Sequence, residues 1–439
     1  MKFYNRESEL ESLNNIYEQC SQNGKLTVLT GRRRVGKTML AKKYAENKQN
    51  LYLFISKKSE KLLCQEFLEL YEIFSKEKHI GKIENFIDIF ELLLKYGINN
   101  RFVLIIDEFQ EFYNVNQSIY SEIQKIWDQY KFQTNCHIIF IGSVFSLMVK
   151  IFQDSKEPLF GRADKIIYLK PFKIKTIAEI LSNNKKYSNL NLFYSYLFTG
   201  GIPRYLEIME SEKSFSLEKI ISIILKKDSL FINEGKTLLI QEFGKDYGTY
   251  FSILELISEG KTSRSEMESI FEKSIGGYLE RLENEYDLIK KIKPIGAKKE
   301  SRIQKYTIKD NFLKMWFRFI YKNITIIEDE RFEYVAKLVK RDISTYAGPI
   351  LEKLFQELIG EREEIGLIGN YWERGNLNEI DIVAVNDLDK KLILCDVKLN
   401  QEKLKINKLK EKSEKLRHKY KGYEIEYRRY SMENIDEMI

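Results

Sequence analysis

Residues 31–38 have the sequence GRRRVGKT and lie between an apolar run at 24–30 and a helical pattern at 39–47. This is the GxxxxGK[ST] pattern of a phosphate-binding loop, in the strand–loop–helix context that the pattern requires. Its two glycines let the backbone curl around a phosphate, and the helix that follows adds the positive end of its dipole. The residues predicted to surround the phosphates of ATP are Gly31, Arg32, Arg33, Arg34, Val35, Gly36, Lys37 and Thr38.

Side chains of this loop and of the nearby strand ends have separate predicted roles. Lys37 is expected to bridge the β- and γ-phosphates, and Thr38 is expected to offer its hydroxyl to Mg²⁺. Asp107 and Glu108 follow the apolar run FVLII, where we expect Asp107 to hold the water shell of the ion and Glu108 to activate the attacking water. Ser143 ends the next apolar run and is placed to sense the γ-phosphate. ATP and Mg²⁺ are therefore the expected ligands.

Five apolar runs, each rich in β-branched or aromatic residues, recur between residues 24 and 170. They are continuous rather than alternating, which is typical of parallel strands covered on both faces. Helical patterns lie between them, and this alternation indicates a doubly wound α/β domain. The predicted strands are 24–30, 51–56, 101–107, 136–142 and 166–170.

The remaining sequence predicts segments of different character. Helical patterns follow Pro171 and are broken by TGGIPRY at 199–205. Three more helical patterns and a Lys-rich hairpin then follow in the order of a winged helix. The C-terminal residues return to α/β, with strands over IDIVAV and KLILCDVK and a charged helix at 401–418. The predicted domains are a P-loop core at 1–172, a helical lid at 173–240, a winged helix at 241–335 and an α/β domain at 340–439.

The composition excludes several classes of protein. The 439 residues are 43% hydrophobic and 31% charged, which suits about three folded domains and argues against a disordered chain. No apolar run approaches the roughly 18 residues of a membrane span, and the N-terminus lacks an apolar signal segment. Four scattered cysteines without a CxxC pair argue against a disulfide framework or a zinc site. We therefore expect a cytoplasmic protein that has no membrane partner.

Basic residues are concentrated towards the C-terminus. Residues 390–429 contain 14 Lys or Arg and six Asp or Glu, a local excess of eight positive charges, whereas the whole chain carries +7. A second Lys-rich stretch lies at 290–305. Basic segments of this size suit a polyanion such as nucleic acid, with DNA favoured over RNA, and a solvated surface is the alternative interpretation.

Several segments distributed over the first half of the chain form a recognisable set: FYNRESEL at 3–10, GRRRVGKT, LIIDEFQ, IIFIGS, LFGRAD and TGGIPRYL. Together they resemble the archaeal-type ATPases within the AAA+/STAND group of P-loop NTPases. The resemblance implies that residues 3–9 approach the adenine, that Arg162 is at the arginine-finger position and that Arg204 is at the sensor-2 position of the lid. An arginine finger often comes from a neighbouring subunit, so Arg162 implies a homo-oligomer. A structural ion pair is the alternative role for each of these two arginines.

The resemblance continues with YTIKDNFLKMWFRFIY at 306–321, which is similar to the segment that closes the winged helix in these proteins. Phe312, Trp316 and Phe319 recur in it at helical spacing. We expect these three side chains in the core rather than on a surface that stacks against bases.

The C-terminal domain of the family resembles the PD-(D/E)xK, or restriction-endonuclease-like, fold, and its motif residues are present. Asp381 lies in the first of two predicted strands, and Asp396 and Lys398 lie in the second. Strand periodicity puts Asp396 and Lys398 on one face, and the short link lets the strands pair so that Asp381 approaches Asp396. Adjacent carboxylates favour a divalent cation between them, and a lysine beside them can position the attacking water.

One further carboxylate completes this predicted centre. Glu352, in the helical segment GPILEKLFQ, matches the leading glutamate of the family, and Glu357 is a rival in the same segment. Two interpretations of the domain stay open, a metal-dependent nuclease and a remnant that keeps the fold and binds without cutting.

The sequence as a whole predicts an α/β protein in which a P-loop sheet with a helical lid precedes a winged helix-turn-helix and a restriction-endonuclease-like domain. The expected function is Mg²⁺-dependent ATP hydrolysis coupled to nucleic-acid binding. Metal-dependent nuclease activity would add a second divalent cation in the C-terminal domain. The alternatives are a STAND-type switch, in which ATP governs oligomerisation and the winged helix contacts protein, and a DNA-binding regulator with an inactive nuclease fold.

Overall fold

A computed structural model describes residues 2–21, 23–244, 247–298, 300–301 and 303–439. The chain divides into two units, Lys2–Pro171 and Phe172–Ile439. The first unit contains the phosphate-binding loop, and the second contains the predicted lid, winged helix and C-terminal domain.

The first unit is built on a parallel five-stranded sheet, which confirms the predicted α/β class. Its strands are β1 (Lys25–Thr30), β2 (Asn50–Phe54), β3 (Phe102–Asp107), β4 (Cys136–Ile141) and β5 (Lys165–Tyr168). They lie in the order β2-β3-β4-β1-β5, and every neighbouring pair is parallel. Every residue of β3 and β4 is buried, as expected for central strands that are covered on both faces.

Helices cover both faces of this sheet. Successive residues of β3 enter opposite cores, since Leu104 and Ile106 lie in one apolar cluster and Val103 and Ile105 in the other. The helices predicted at 39–47 and 117–130 are present, and the others come from amphipathic sequences such as FIDIFELLLKYGIN. The helices are α1 (Glu7–Gln19), α2 (Lys37–Ala45), α3 (Glu60–Ser75), α4 (Phe86–Asn99), α5 (Phe112–Val115), α6 (Ile119–Tyr130) and α7 (Phe145–Gln153).

The strand order decides which residues meet. Because β3, β4 and β1 are neighbours and parallel, their carboxyl ends share one edge of the sheet. The phosphate-binding loop follows β1, Asp107 ends β3 and Glu108 follows it, and Ser143 follows β4. Elements that are far apart in the sequence therefore converge at this edge.

The second unit begins with helices, as the sequence predicts for the lid region. The break at TGGIPRY has a backbone cause: Gly200 has a φ of 59° and ends one helix, and Pro203 opens the next. These helices are α8 (Ile174–Asn183), α9 (Asn189–Thr199), α10 (Pro203–Ser211), α11 (Leu217–Ile224) and α12 (Leu230–Phe243).

The winged-helix order is also present. Three helices, α13 (Tyr247–Ser258), α14 (Arg264–Phe271) and α15 (Gly276–Asn284), precede an antiparallel pair, β6 (Ile289–Ile292) and β7 (Lys305–Ile308). We call this pair, together with the described residues between its strands, the wing. Phe312, Trp316 and Phe319 are buried in the segment that follows, so their predicted place in the core is confirmed. That segment continues as α16 (Asn311–Met315), a π-helical turn (Trp316–Ile320) and α17 (Ile324–Glu328).

One long helix, α18 (Phe332–Arg362), connects the winged helix to the C-terminal sheet. The boundary predicted between residues 335 and 340 falls inside this helix, which continues without a break. The division of the second unit into domains therefore stays a prediction.

The C-terminal sheet has four strands, of which the sequence predicted two. They are β8 (Leu367–Tyr371), β9 (Ile380–Asn386), β10 (Lys391–Val397) and β11 (Glu424–Tyr430), in the order β11-β10-β9-β8. The predicted hairpin is the antiparallel pair β9–β10. The single helix predicted at 401–418 is wrong, because the chain forms two short helices, α19 (Ile406–Lys412) and α20 (Glu414–Lys419).

Candidate functional site

The phosphate-binding loop has the curled backbone that its glycines predict. Gly31, Arg34 and Gly36 have φ values of 142°, 74° and 92°, which are all in the region that favours glycine. A Cβ atom at Gly31 would collide with the carbonyl oxygen of Leu169. Gly36 immediately precedes α2, so the amino end of this helix faces the loop. The backbone is thus shaped to present N–H groups to an anion.

Lys37 is folded back across the loop. Its ammonium donates to the carbonyl oxygens of Gly31 at 2.8 Å and Arg32 at 2.9 Å, and the residue is buried. A bound phosphate would have to replace these carbonyl contacts with its own oxygens. The charge of Lys37 is therefore already held inside the loop, where an anion would gain most from it.

Asp107 receives hydrogen bonds on both carboxylate oxygens. Its Oδ2 accepts from the Thr38 hydroxyl at 2.6 Å and from the Tyr52 hydroxyl at 2.9 Å, and its Oδ1 accepts from the Glu108 N–H at 2.8 Å. Burial and the Asp107 carboxylate raise the pKa of Tyr52, so its hydroxyl remains a donor. Thr38 and Asp107 supply the hard oxygen ligands that Mg²⁺ prefers.

Glu108 is held by a small network that the sequence did not predict in full. Its Oε2 accepts from the Ser143 hydroxyl at 2.8 Å and also from the side-chain amide of Gln110. The amide oxygen of Gln110 in turn accepts from the Ser143 N–H at 3.3 Å. Glu108 has a φ of 54°, which directs the chain out of the strand, so both acids reach the same edge. Gln110 ends the segment LIIDEFQ, but its contacts were missed because they depend on the turn that follows β3.

Arg6 joins the N-terminal segment to this site. Its guanidinium donates to the carbonyl oxygens of Val35 at 3.2 Å and Lys170 at 2.8 Å, and it pairs with Glu9 at 3.2 Å. Burial lowers the pKa of Arg6. The segment 3–9 is therefore fixed against the loop, and its predicted contact with adenine stays a prediction.

Arg162 lies at the opposite edge of the sheet from its own phosphate-binding loop. It precedes β5, and it lines a cavity of about 500 Å³ together with Lys25, where β1 begins. The loop follows the other end of β1, a six-residue strand that spans about 20 Å. Arg162 pairs with Asp128 at 3.1 Å. The structure thus separates Arg162 from the site in its own chain.

Arg204 lies in α10 of the second unit. Its guanidinium pairs with Glu207, one turn further along the helix, at 2.6 Å. This ion pair lies within one helix, and the role of Arg204 as sensor 2 stays a prediction.

The C-terminal hairpin brings the predicted carboxylates together. The β9–β10 register pairs Ile382 with Cys395, so Asp381 and Asp396 are opposite each other at the next position. The Lys398 ammonium lies 2.6 Å from Oδ2 of Asp381, 3.0 Å from Oδ1 of Asp396 and 3.0 Å from the Val397 carbonyl oxygen. Three oxygen atoms therefore converge on one cationic group.

The electrostatics of this centre favour a cation at that position. Burial raises the pKa of Asp381, and Lys398 only partly opposes the effect. Burial lowers the pKa of Lys398, but the two carboxylates outweigh it, so the net pKa is raised and the ammonium stays charged. The second oxygen of Asp396 accepts from the Lys405 N–H at 3.0 Å.

Of the two candidate glutamates, the structure brings Glu352 to the centre. The side-chain amide of Asn370 donates to Glu352 Oε2 at 3.0 Å and to the carbonyl oxygen of Asp381 at 2.7 Å. Burial and the Asp381 carboxylate raise the pKa of Glu352 well above its usual value. Glu357 lies elsewhere and accepts from the Tyr196 hydroxyl at 2.9 Å.

A cavity of about 370 Å³ opens beside Asp381, Asp396 and Lys398. Within the part of the chain that the structure describes, no group of three or more His, Cys, Asp or Glu side chains is arranged to hold a metal ion. The centre therefore offers two carboxylates and a carbonyl oxygen. The other charged residues that line the cavity are Glu379, Glu402, Lys403, Lys405, Lys408 and Lys412.

The wing is attached to the C-terminal sheet, which the sequence did not predict. The Ile295 N–H donates to the Asn370 carbonyl oxygen at 2.9 Å, and the Ile295 side chain joins the apolar core of the sheet. Lys305 of β7 pairs with Glu379 at 3.2 Å. The wing and the carboxylate centre therefore form one continuous structure, in which Asn370 contacts both.

The parallel sheet, the glycine-rich loop and the acids at its edge define a P-loop ATPase. Residues 3–209 match the family described as an ATPase domain predominantly from Archaea, which confirms the predicted archaeal-type ATPase. Residues 316–414 match a family described as archaeal and bacterial proteins of unknown function.

Two archaeal proteins are also similar to this chain in sequence. An uncharacterized protein of Methanocaldococcus jannaschii is 31% identical over 410 residues, which cover 90% of this chain and 87% of that protein. The chain therefore belongs to the family of this archaeal protein. An uncharacterized ATP-binding protein of the same organism is 53% identical over 47 residues, which are 11% of this chain and 76% of that protein.

A solved structure supports the fold. A Walker-type ATPase of Pyrococcus abyssi has a TM-score of 0.55 to this chain at 18% identity, covering 72% of this chain and 96% of that one. Among the described residues, no helix has both the length and the apolar character that crossing a membrane requires.

Proposed function

We propose that this protein is an Mg²⁺-dependent ATPase whose nucleotide state controls the binding of nucleic acid by its C-terminal domain. The observation that carries the nucleic-acid part is the cavity at the carboxylate centre, whose lining includes Lys398, Lys403, Lys405, Lys408 and Lys412. Clustered lysines attract a phosphate backbone, and DNA is favoured over RNA as the polyanion.

The ATPase mechanism follows from the residues at the sheet edge. Lys37 would exchange its carbonyl contacts for the β- and γ-phosphates, and Thr38 and Asp107 would hold Mg²⁺, which neutralises phosphate charge. Glu108 would orient and deprotonate the attacking water. Ser143 contacts Glu108 at 2.8 Å, so this residue can relay the presence of the γ-phosphate to the base.

Arg162 would complete this mechanism in a neighbouring subunit. Its distance from its own loop supports action in trans, because the opposite edge of the sheet can face a second copy.

Arg162→Ala and Glu108→Gln proteins, each inactive alone, should regain hydrolysis when mixed, since a mixed interface pairs an intact site with an intact arginine. Full ATPase activity per molecule in a monomer at high dilution would contradict this role.

The carboxylate centre favours a metal-dependent nuclease as a second activity. The ammonium of Lys398 stands where two carboxylates and the Val397 carbonyl oxygen converge, which is a set of hard oxygen ligands that suits Mg²⁺ or Mn²⁺. With such an ion held by Asp381 and Asp396, Lys398 would be free to position the attacking water. In the alternative interpretation, an inactive nuclease fold, the Lys398 ammonium stays between the carboxylates, and the lysine-rich cavity only binds nucleic acid.

Replacing Lys403, Lys405 and Lys408 by alanine should weaken nucleic-acid binding and reduce its salt dependence. Each phosphate contact contributes about 0.9 to the slope of log affinity against log salt concentration for duplex DNA, so the slope should fall by about 2 to 3. Fluorescence anisotropy of labelled duplex DNA at several salt concentrations measures this slope.

The matched control is the change of Lys186, Lys219 and Lys236 to alanine, which removes the same charge from exposed positions in the lid region. Equal effects of the two triple variants would show that total charge, and not the cavity, determines binding. Wild-type protein that binds no nucleic acid at low salt would refute the proposal and favour the switch that contacts protein.

A further inference from the structure

Tyr52 contacts the acid that is proposed to serve the metal. It lies in β2, next to β3 in the sheet, and its hydroxyl donates to Asp107 Oδ2 at 2.9 Å. The same oxygen accepts from Thr38 at 2.6 Å, and Oδ1 accepts from the Glu108 N–H at 2.8 Å. Three donors therefore fix the plane of the Asp107 carboxylate.

These donors are not equivalent once a nucleotide and its metal are bound. The Thr38 hydroxyl is expected to turn its oxygen towards the cation. Tyr52 is then the side chain that still donates a hydrogen bond to Oδ2 of Asp107, while the backbone N–H of Glu108 still donates to Oδ1. The orientation of the carboxylate would then depend on Tyr52.

The Tyr52 side chain is itself held in place. Its neighbours Leu51 and Leu53 are buried in the sheet, which fixes the strand that carries it. The ammonium of Lys42, from the helix that follows the phosphate-binding loop, lies 4.4 Å from the centre of its ring, a cation–π contact. Tyr52 thus bridges the helix α2 and the strand β3, the two elements that carry Thr38 and Asp107.

We infer that Tyr52 is a positioning residue, which orients Asp107 towards the magnesium ion that accompanies ATP. The inference rests on the proposed Mg²⁺-dependent ATPase and adds to it a residue outside the phosphate-binding motifs. Groups that orient a metal ligand from behind commonly alter metal affinity or activity by about 10- to 100-fold when they are removed.

Tyr52→Phe removes the hydroxyl and keeps the ring. The affinity for a fluorescent, non-hydrolysable ATP analogue is measured first in EDTA and then during a titration with Mg²⁺. We expect the affinity in EDTA to stay within about twofold of wild type, because Tyr52 does not contact the loop backbone. The Mg²⁺ concentration that gives half of the metal-dependent gain in affinity for the ATP analogue should rise by about tenfold.

Tyr44→Phe is the matched control. Tyr44 is a buried tyrosine of the same unit whose hydroxyl bonds to Nδ1 of His137 at 2.7 Å, away from Asp107. Thermal unfolding of both variants reports any loss of stability, and Tyr44→Phe should keep the wild-type Mg²⁺ dependence. Tyr52→Phe with an unchanged Mg²⁺ dependence, or with a shift that Tyr44→Phe reproduces, would overturn the role of Tyr52. The proposed Mg²⁺-dependent ATPase would not be affected by that result. Wild-type binding that is indifferent to Mg²⁺ would overturn the proposed metal dependence as well.

Discussion

Lys37→Ala should abolish ATP binding, whereas Glu108→Gln should bind ATP and hydrolyse it about 10²- to 10⁴-fold more slowly. The two changes affect different steps. Lys37 supplies the ammonium that the loop holds at 2.8 Å from the Gly31 carbonyl oxygen, ready for phosphate. Glu108 carries the carboxylate that would deprotonate water, and glutamine keeps its shape without its basicity. Equilibrium binding of ATP and a phosphate-release assay measure the two effects separately.

The control for this pair is Glu111→Gln, which makes the same chemical change three residues further along the chain. The Glu111 carboxylate accepts a hydrogen bond from the Asn114 amide at 3.3 Å, and only the backbone N–H of Glu111, which glutamine keeps, donates to the Glu108 carbonyl oxygen, at 2.8 Å among the described residues. Its turnover should equal that of wild type. Unchanged turnover in Glu108→Gln would remove Glu108 from the mechanism.

Asp381→Ala and Asp396→Ala should each eliminate nucleic-acid cleavage and leave ATP hydrolysis largely intact. Each substitution removes one of the two carboxylates that converge on Lys398, at 2.6 Å and 3.0 Å, so a divalent cation would lose one of its two carboxylate ligands. ATP hydrolysis should persist because the phosphate-binding loop lies in the other unit. Lys398→Ala should slow cleavage without abolishing metal binding.

The inactive alternative predicts a different result for the same proteins. Wild type would then cut neither plasmid nor linear DNA with Mg²⁺ or Mn²⁺, and each aspartate substitution would raise DNA affinity by removing negative charge from the cavity. Asp387→Ala is the control, because Asp387 lies in the turn of the same hairpin and contacts Tyr423 instead. Cleavage that survives both aspartate substitutions would indicate a contaminant and defeat the nuclease interpretation.

The sequence predicts those parts of the nucleotide site that local pattern determines. The loop at 31–38 and the acids at 107–108 lie at the carboxyl ends of buried strands, so strand order alone places them at one edge of the sheet. Tyr52 lies outside the motifs, whereas Gln110 and Arg6 lie inside LIIDEFQ and FYNRESEL but had no individually predicted contact. Each acts through a hydrogen bond to an element distant in sequence or to a short turn. Such contacts depend on tertiary structure, which no spacing reveals.

The C-terminal domain was also predicted only in part from the sequence, but for a different reason. The central strands β9 and β10 are mainly apolar and were predicted, whereas the edge strands β8 and β11 carry polar and charged residues that weaken the strand pattern. A register shift in β8 between Gly369 and Tyr371 surrounds Asn370, whose bonds to Glu352 and to the wing follow from it. A bulge of this kind leaves no clear mark in a single sequence.

If nucleotide state controls nucleic-acid binding, a single titration of DNA affinity against nucleotide will show it. The affinity of Glu108→Gln protein for labelled duplex DNA is measured at one salt concentration with ATP, with ADP and without nucleotide, and Lys37→Ala protein serves as the nucleotide-blind control. Coupling between two sites typically changes affinity by about 5- to 150-fold, so we expect the ATP and ADP affinities to differ within that range and Lys37→Ala to show no difference. Equal affinities of the Glu108→Gln protein in all three conditions would contradict control of nucleic-acid binding by the nucleotide.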